Sequence, residues 1–210
     1  KTMRAGVLVL GSLLGKYRVA KVSLPGGCAI GSRPIDLHLS SLKKMGAKIK
    51  IKNGYIVASA KKGLKGCLIR FPKISVGATE NALIASCFAK GITKLRNCAT
   101  EPEVSDLINF LKKLGFKINL FGKRGINIYG FKKLKPVTHK VIFDRIEAGT
   151  YIIASALTNG NLKIKNINPK IISTEIDLLT KMGVKIIKKK DFVVVNNSKK
   201  IKGINLTTQP

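Results

Sequence analysis

The residues best suited to chemistry stand together in Leu24-Pro25-Gly26-Gly27-Cys28-Ala29-Ile30-Gly31-Ser32-Arg33-Pro34-Ile35-Asp36. Its glycines let the backbone take positive φ and approach a ligand closely, and the free N–H groups at the start of the following helix form an anion site. Arg33 adds a planar, permanently charged fork that fits phosphate or carboxylate. In that field the Cys28 thiol, which ordinarily ionises at about 8.5, shifts downward and can give a proton or act as a nucleophile near neutral pH. Such a loop suits a small anionic substrate. Spacing alone is equally compatible with a glycine-rich turn that buries a small apolar cysteine.

The elements that must position this loop are repeated. Leu42-Lys43-Lys44-Met45-Gly46-Ala47-Lys48-Ile49 returns as Leu111 to Ile118 and as Leu179 to Ile186, with Gly46, Gly115 and Gly183 at a spacing of 69 and then 68 residues. Each copy reads as the lysine-bearing end of an amphipathic helix, stopped by a glycine cap and followed by an alternating strand. A second pattern, Ala85 to Asn97, returns as Ala154 to Asn166, so each unit holds two helices. Thr100-x-x-Glu103 and Asp144-x-x-Glu147 have capping-box spacing, and Pro34 and Pro169 are expected in first turns. Segments 48–56, 117–129 and 184–195 alternate around Gly, Asn or Asp turns as strands do. The predicted unit is β-α-β-α-β-β in an α/β chain. One unit has too little core to stand alone, and the lysine-rich stretch 132–140 with Pro136 is the expected boundary.

Composition narrows the function classes. The net charge is +30, yet only seven of the 40 basic residues are Arg, and the lysines alternate with apolar residues as in Lys48-Ile49-Lys50-Ile51-Lys52. That is the pattern of solvated strand and helix faces, with no RNA-recognition or helix-turn-helix signature, so no nucleic-acid partner is expected; a basic nucleic-acid-binding module is the rival reading. Cys67, Cys87 and Cys98 lack CxxC spacing and only two histidines accompany them, which argues against zinc and disulfides and makes these three small buried residues. No apolar run reaches membrane-spanning length, and a cytoplasmic address is the default expectation.

Pro-Gly-Gly-Cys-x-Ile-Gly-x-Arg-Pro, complete from Pro25 to Pro34, resembles the signature loop of the UDP-N-acetylglucosamine enolpyruvyl transferases. Lys1-Thr2-Met3-Arg4, Ser75-Val76-Gly77-Ala78-Thr79, Glu101-Pro102-Glu103 and Asp144-Arg145-Ile146-Glu147-x-Gly149-Thr150 resemble that family in the same order, so the likeness covers the whole chain. The sister family that acts on shikimate 3-phosphate shares the repeated fold but lacks the cysteine loop, and ranks second.

The resemblance implies two lobes, each an inside-out α/β barrel with helices inside. Residues 1–138 would belong to the first lobe and 139–210 would be the first unit of the second, leaving the barrel incomplete. It implies that the 3′-hydroxyl of UDP-N-acetylglucosamine attacks C2 of phosphoenolpyruvate while C3 is protonated, after which phosphate leaves. Cys28 would supply that proton and could form an adduct with phosphoenolpyruvate or with the epoxide fosfomycin. Arg4 and Arg33 would neutralise the substrates. Pro34, Ile35, Asp36 and Leu37 would line the nucleotide site, and Lys73, Ile74, Ser75 and Val76 would form its second loop at another helix start. For several of these a plainer role is open: Arg4 as an exposed helix residue, Asp36 as a favourable first-turn charge, Ser75 as an N-cap. Glu101, Glu103, Asp144 and Arg145 match family positions, but capping explains them equally well. No cofactor or metal is implied, and the full-length protein is expected to be monomeric. Family segments expected before Lys1 and after Pro210 carry a Lys-Asn pair, the catalytic Asp and a further Arg, so little turnover is expected from these 210 residues alone.

Overall fold

In the computed structural model, which describes residues 4–26, 34–130, 134–196 and 201–207, one topology is built three times from the repeated sequence pattern. A 3-10 turn (Arg4–Leu8) leads into α1 (Val9–Tyr17), β1 (Val19–Ser23), α2 (Asp36–Lys44), β2 (Lys48–Lys52) and β3 (Tyr55–Ser59). The middle copy comprises β4 (Leu68–Arg70), α3 (Val76–Cys87), β5 (Ile92–Arg96), α4 (Pro102–Lys113), β6 (Lys117–Phe121) and β7 (Gly125–Tyr129). The last comprises α5 (Arg145–Leu157), β8 (Leu162–Lys165), a 3-10 turn (Pro169–Ile172), α6 (Ser173–Lys181), β9 (Lys185–Lys188) and β10 (Phe192–Asn196). In every copy the last strand lies between the two that precede it, in the orders β1-β3-β2, β5-β7-β6 and β8-β10-β9, all antiparallel. Only β4, parallel to β5, supplies the strand expected ahead of a leading helix among the described residues. The segment before α5 is not strand: Val141 is exposed and no ladder partner lies beside it among the described residues.

The three glycine stops are the same structure. Gly46, Gly115 and Gly183 have φ of +97°, +107° and +99°. Each glycine N–H donates to the carbonyl three residues back (Lys43, Lys112, Thr180), and the next residue donates to the carbonyl five back (Leu42, Leu111, Leu179). This double bond is the Schellman cap, and its accompanying apolar contact is present as buried Leu42/Ala47, Leu111/Phe116 and Leu179/Val184. Helix starts are less uniform. Asp144 Oδ1 accepts from the N–H groups of Ile146 and Glu147 at 2.8 and 3.1 Å, as its spacing predicts. Thr100 caps nothing: Glu101 is the N-cap residue, with Pro102 at the start of α4, and the Thr100 N–H donates to Glu101 Oε2 at 2.8 Å. Nor is Pro34 in a first turn, because the first carbonyl taken into α2 is that of Ile35, from Leu39 N–H at 3.1 Å.

The chain divides into two units, Lys1–His139 and Lys140–Pro210. In the first, Leu10 and Leu14 of α1, Leu42 of α2 and Leu83 of α3 are fully buried against Ile56, Leu95 and Ile128 of the sheets. Each such burial stabilises the fold by about 1.5–3 kcal/mol. In the second, Ile152, Ile172, Ile176, Val193 and Val195 form a separate small core. On the outer sheet faces the lysines lie across rings: Lys21 over Tyr55, Lys117 over Tyr129, Lys163 over Phe192. At the end of the first unit Lys135 N–H donates to the Leu114 carbonyl, and His139 Nε2 meets both oxygens of Asp106 at 3.1 Å.

Candidate active site

Residues 34–37 and 73–76, remote in sequence, open two adjacent helices. α2 and α3 approach so closely that a Cβ on Gly77 would stand 3.2 Å from His38 Cε1, a tight contact that glycine avoids where the first turns of the two helices meet. Asn81, wholly buried one turn further along α3, fixes the arrangement. Its Oδ1 accepts from Gly11 N–H at 2.9 Å, and its Nδ2 donates to the Val7 carbonyl and faces His38 Nδ1, both at 3.1 Å. With Oδ1 assigned to a donor, Nδ2 must be the donor toward His38. Nδ1 is then the accepting nitrogen and the ring proton sits on Nε2. One amide thus ties α1, α2 and α3 together, and a Cβ at Gly11 would overlap it.

Around this joint, Pro34 and Asp36 are exposed, Ile35 is half-buried, and the Leu37 side chain belongs to the core, leaving only its backbone for a ligand. Lys73 is exposed, while Ile74 and Val76 pack half-buried on the core. Ser75 is the N-cap of α3, its Oγ accepting from Ala78 N–H at 3.3 Å. The hydroxyl proton remains available to an acceptor, so capping and ligand contact are compatible. The side chain of Arg4, and all of Cys28 and Arg33, lie outside the described residues.

A third helix start joins the other two. Buried Thr79 donates to the Ser75 carbonyl at 2.8 Å and accepts from Ala99 N–H at 3.1 Å, which brings the approach to α4 against α3. Glu80 is pushed above its ordinary carboxyl value, first by burial and then by the charges of Glu103 and Glu101. His38, Thr79, Glu80 and Asn81 are absent from the sequence-derived site. The available signal was the polar set Thr79, Asn81 and Ser86, all three buried, within an otherwise largely apolar helix. The partners of Asn81 lie 43 to 74 residues away, which no local pattern encodes.

The other cysteines are chemically quiet. Burial pushes the thiols of Cys87 and Cys98 up to about 12, with Arg96 opposing it weakly at Cys98. Cys67 is only half-buried, and is raised by desolvation against a smaller opposing effect of Lys44. A neutral thiol is a poor nucleophile, so none of the three is suited to covalent chemistry near neutral pH.

Repeated α-β-α-β-β modules, with the starts of α2, α3 and α4 gathered at one anion-suited corner of the first unit, define an enolpyruvyl-transferase type of fold. The structure resembles the enolpyruvyl transferase NikO from Streptomyces tendae, with a TM-score of 0.76 at 25% identity over 90% of this chain and 46% of that one. It also resembles the EPSP synthase of Acinetobacter baumannii in fold, with a TM-score of 0.69 at 19% identity over 97% of this chain and 49% of that one. The sequence profile of the EPSP synthase (3-phosphoshikimate 1-carboxyvinyltransferase) family matches residues 1–210, and the chain belongs to that family. Within it, the chain is 60% identical to the UDP-N-acetylglucosamine 1-carboxyvinyltransferase of Pelagibacter ubique (strain HTCC1062) over all 210 residues, and 50% identical to that of Geotalea uraniireducens (strain Rf4). It spans about half the length of these curated relatives.

Proposed function

We propose that the protein to which this chain belongs transfers the enolpyruvyl group of phosphoenolpyruvate to the 3′-hydroxyl of UDP-N-acetylglucosamine and releases phosphate, the first committed step of peptidoglycan synthesis. The observation that carries the reading is the pairing of the complete 25–34 cysteine loop sequence with an adjoining second helix start at Lys73–Val76. Relatives named for this reaction at 60% and 50% identity favour it over transfer to shikimate 3-phosphate.

In this reading Cys28 protonates C3 of phosphoenolpyruvate as the sugar hydroxyl attacks C2, and the tetrahedral adduct then loses a C3 proton and phosphate. Arg4 and Arg33 balance the anionic charge. Backbone N–H groups at the starts of α2 and α3, with Lys73, hold the diphosphate; Asp36 accepts from the uracil edge. Residues 1–138 are assigned to the first lobe and 139–210 to the second. The protein works in the cytoplasm as a monomer; no described helix is long and apolar enough to cross a membrane. The lysines lying across sheet-face rings support a solvated basic surface over a nucleic-acid module.

The test is fosfomycin labelling of the full-length gene product in the presence of UDP-N-acetylglucosamine, read by peptide mass spectrometry. A mass gain on Cys28 alone, lost in Cys28→Ala together with turnover, is expected. Labelled Cys67, Cys87 or Cys98 with Cys28 untouched would sink the assignment.

A further inference from the structure

At the opposite end of α2 lies a second concavity of about 550 Å³, lined by Gly46, Lys48, Ser59, Lys61, Lys62, Gly63 and Lys65. Its charged lining is four lysines and no carboxylate. None of the four is paired with an acid or lies over a ring among the described residues, unlike Lys21, Lys117 and Lys163. Nor do they serve the helix end, where Lys43 and Lys44 already occupy the last turn of α2. Lys61, Lys62 and Lys65 come from one short loop after β3, and the fold adds Lys48 to them from β2.

The backbone that gathers them is fixed. Lys48 stands opposite Ser59 in the β2–β3 ladder, and Lys65 N–H donates to the Met45 carbonyl at 2.9 Å while bridging to Lys90. Buried Leu64 anchors the loop, and Gly63, at φ +78°, turns it. Beside both Gly46 and Gly63 there is open space where a side chain would stand. Like charges held on rigid backbone repel one another, and a multiply charged anion relieves that repulsion. Lysines are compact, strongly hydrated point charges without a fork geometry, which suits a phosphate chain better than a single planar carboxylate. Since α2 has nine residues, the concavity lies about 13 Å from the start of that helix.

We infer that the Lys48/Lys61/Lys62/Lys65 concavity is a binding site for an oligophosphate, free or carried by a nucleotide, separate from the site at the start of α2. The experiment is calorimetric titration of the full-length gene product with tripolyphosphate and with ATP at physiological ionic strength, comparing the wild type, Lys61→Gln/Lys62→Gln, Lys50→Gln/Lys52→Gln and Lys73→Gln, each checked for fold by circular dichroism. The inference expects saturable binding weakened about tenfold or more by the cradle pair and less than about twofold by the equal charge removal at Lys50 and Lys52. Tripolyphosphate binding with that pattern assigns a free oligophosphate; binding of ATP alone with that pattern assigns a nucleotide-borne chain. Equal loss in both lysine pairs, loss only in Lys73→Gln, or no saturable binding of either probe overturns it.

Discussion

Glu80 carries two carboxylates for neighbours and is itself half-buried, so its proton is held more tightly in the folded chain than in the unfolded one. A carboxyl raised in this way contributes most favourably below its ordinary value of 4.5 and loses that contribution as pH rises through the raised value. Glu80→Gln is therefore expected to raise the melting temperature at pH 7 and to leave it nearly unchanged at pH 4, measured by thermal circular dichroism. The thiols give a second expectation. With Cys87 and Cys98 pushed up to about 12, alkylation by iodoacetamide at pH 8 should leave both intact in the folded chain and modify Cys67 slowly, with Cys28 reacting ahead of all three; peptide mass spectrometry ranks them. At this scale the sequence was readable where a residue acts through its immediate neighbours. Asp144 takes its cap from spacing alone, and Ser75 is the N-cap its position allows. It was unreadable for Asn81 and Glu80, whose meaning lies in groups brought from other elements.

Helix ends were the most legible elements, because a lysine-bearing last turn followed by glycine has one economical solution, and the chain uses it three times. Gly115→Ala would place a Cβ at φ +107°, and a loss of about 1–2 kcal/mol in urea unfolding is expected. Gly115→Asn should lose less, since Asn tolerates that region. The hairpins were equally legible from alternation. What the pattern missed was where a strand finds a partner: β4 exists because β5 is beside it, whereas residues 141–143 have the apolar content of a strand and no ladder partner among the described residues. Thr100 failed as a cap because Glu101, next to Pro102, took that place. The joint between α1, α2 and α3 depends on one side chain. Asn81→Leu removes three hydrogen bonds and leaves Gly11 N–H and the Val7 carbonyl unsatisfied, so a cost of about 3 kcal/mol or more is expected, read as a lowered urea midpoint.

For the molecule as a whole, the two units differ in how much core they own. The first buries residues from four helices and two sheets; the second, of about 70 residues, relies on one helix layer over one three-stranded sheet and leaves Ile146, Tyr151, Ile153 and Leu157 of α5 exposed. Native-state hydrogen exchange is expected to show β8, β9 and β10 opening at lower free energy than β5 and β7, in separate steps and not in one transition. The repeated topology was legible because each copy closes locally. The sheet order has a further consequence. Since β1, β5 and β8 each find their ladder partner within the next 40 or so residues, each of these ladders can close as soon as the last strand of its own copy has left the ribosome. The chain can therefore close one copy's ladder after another in the order in which it is synthesised, with no copy kept waiting for a strand of a later one.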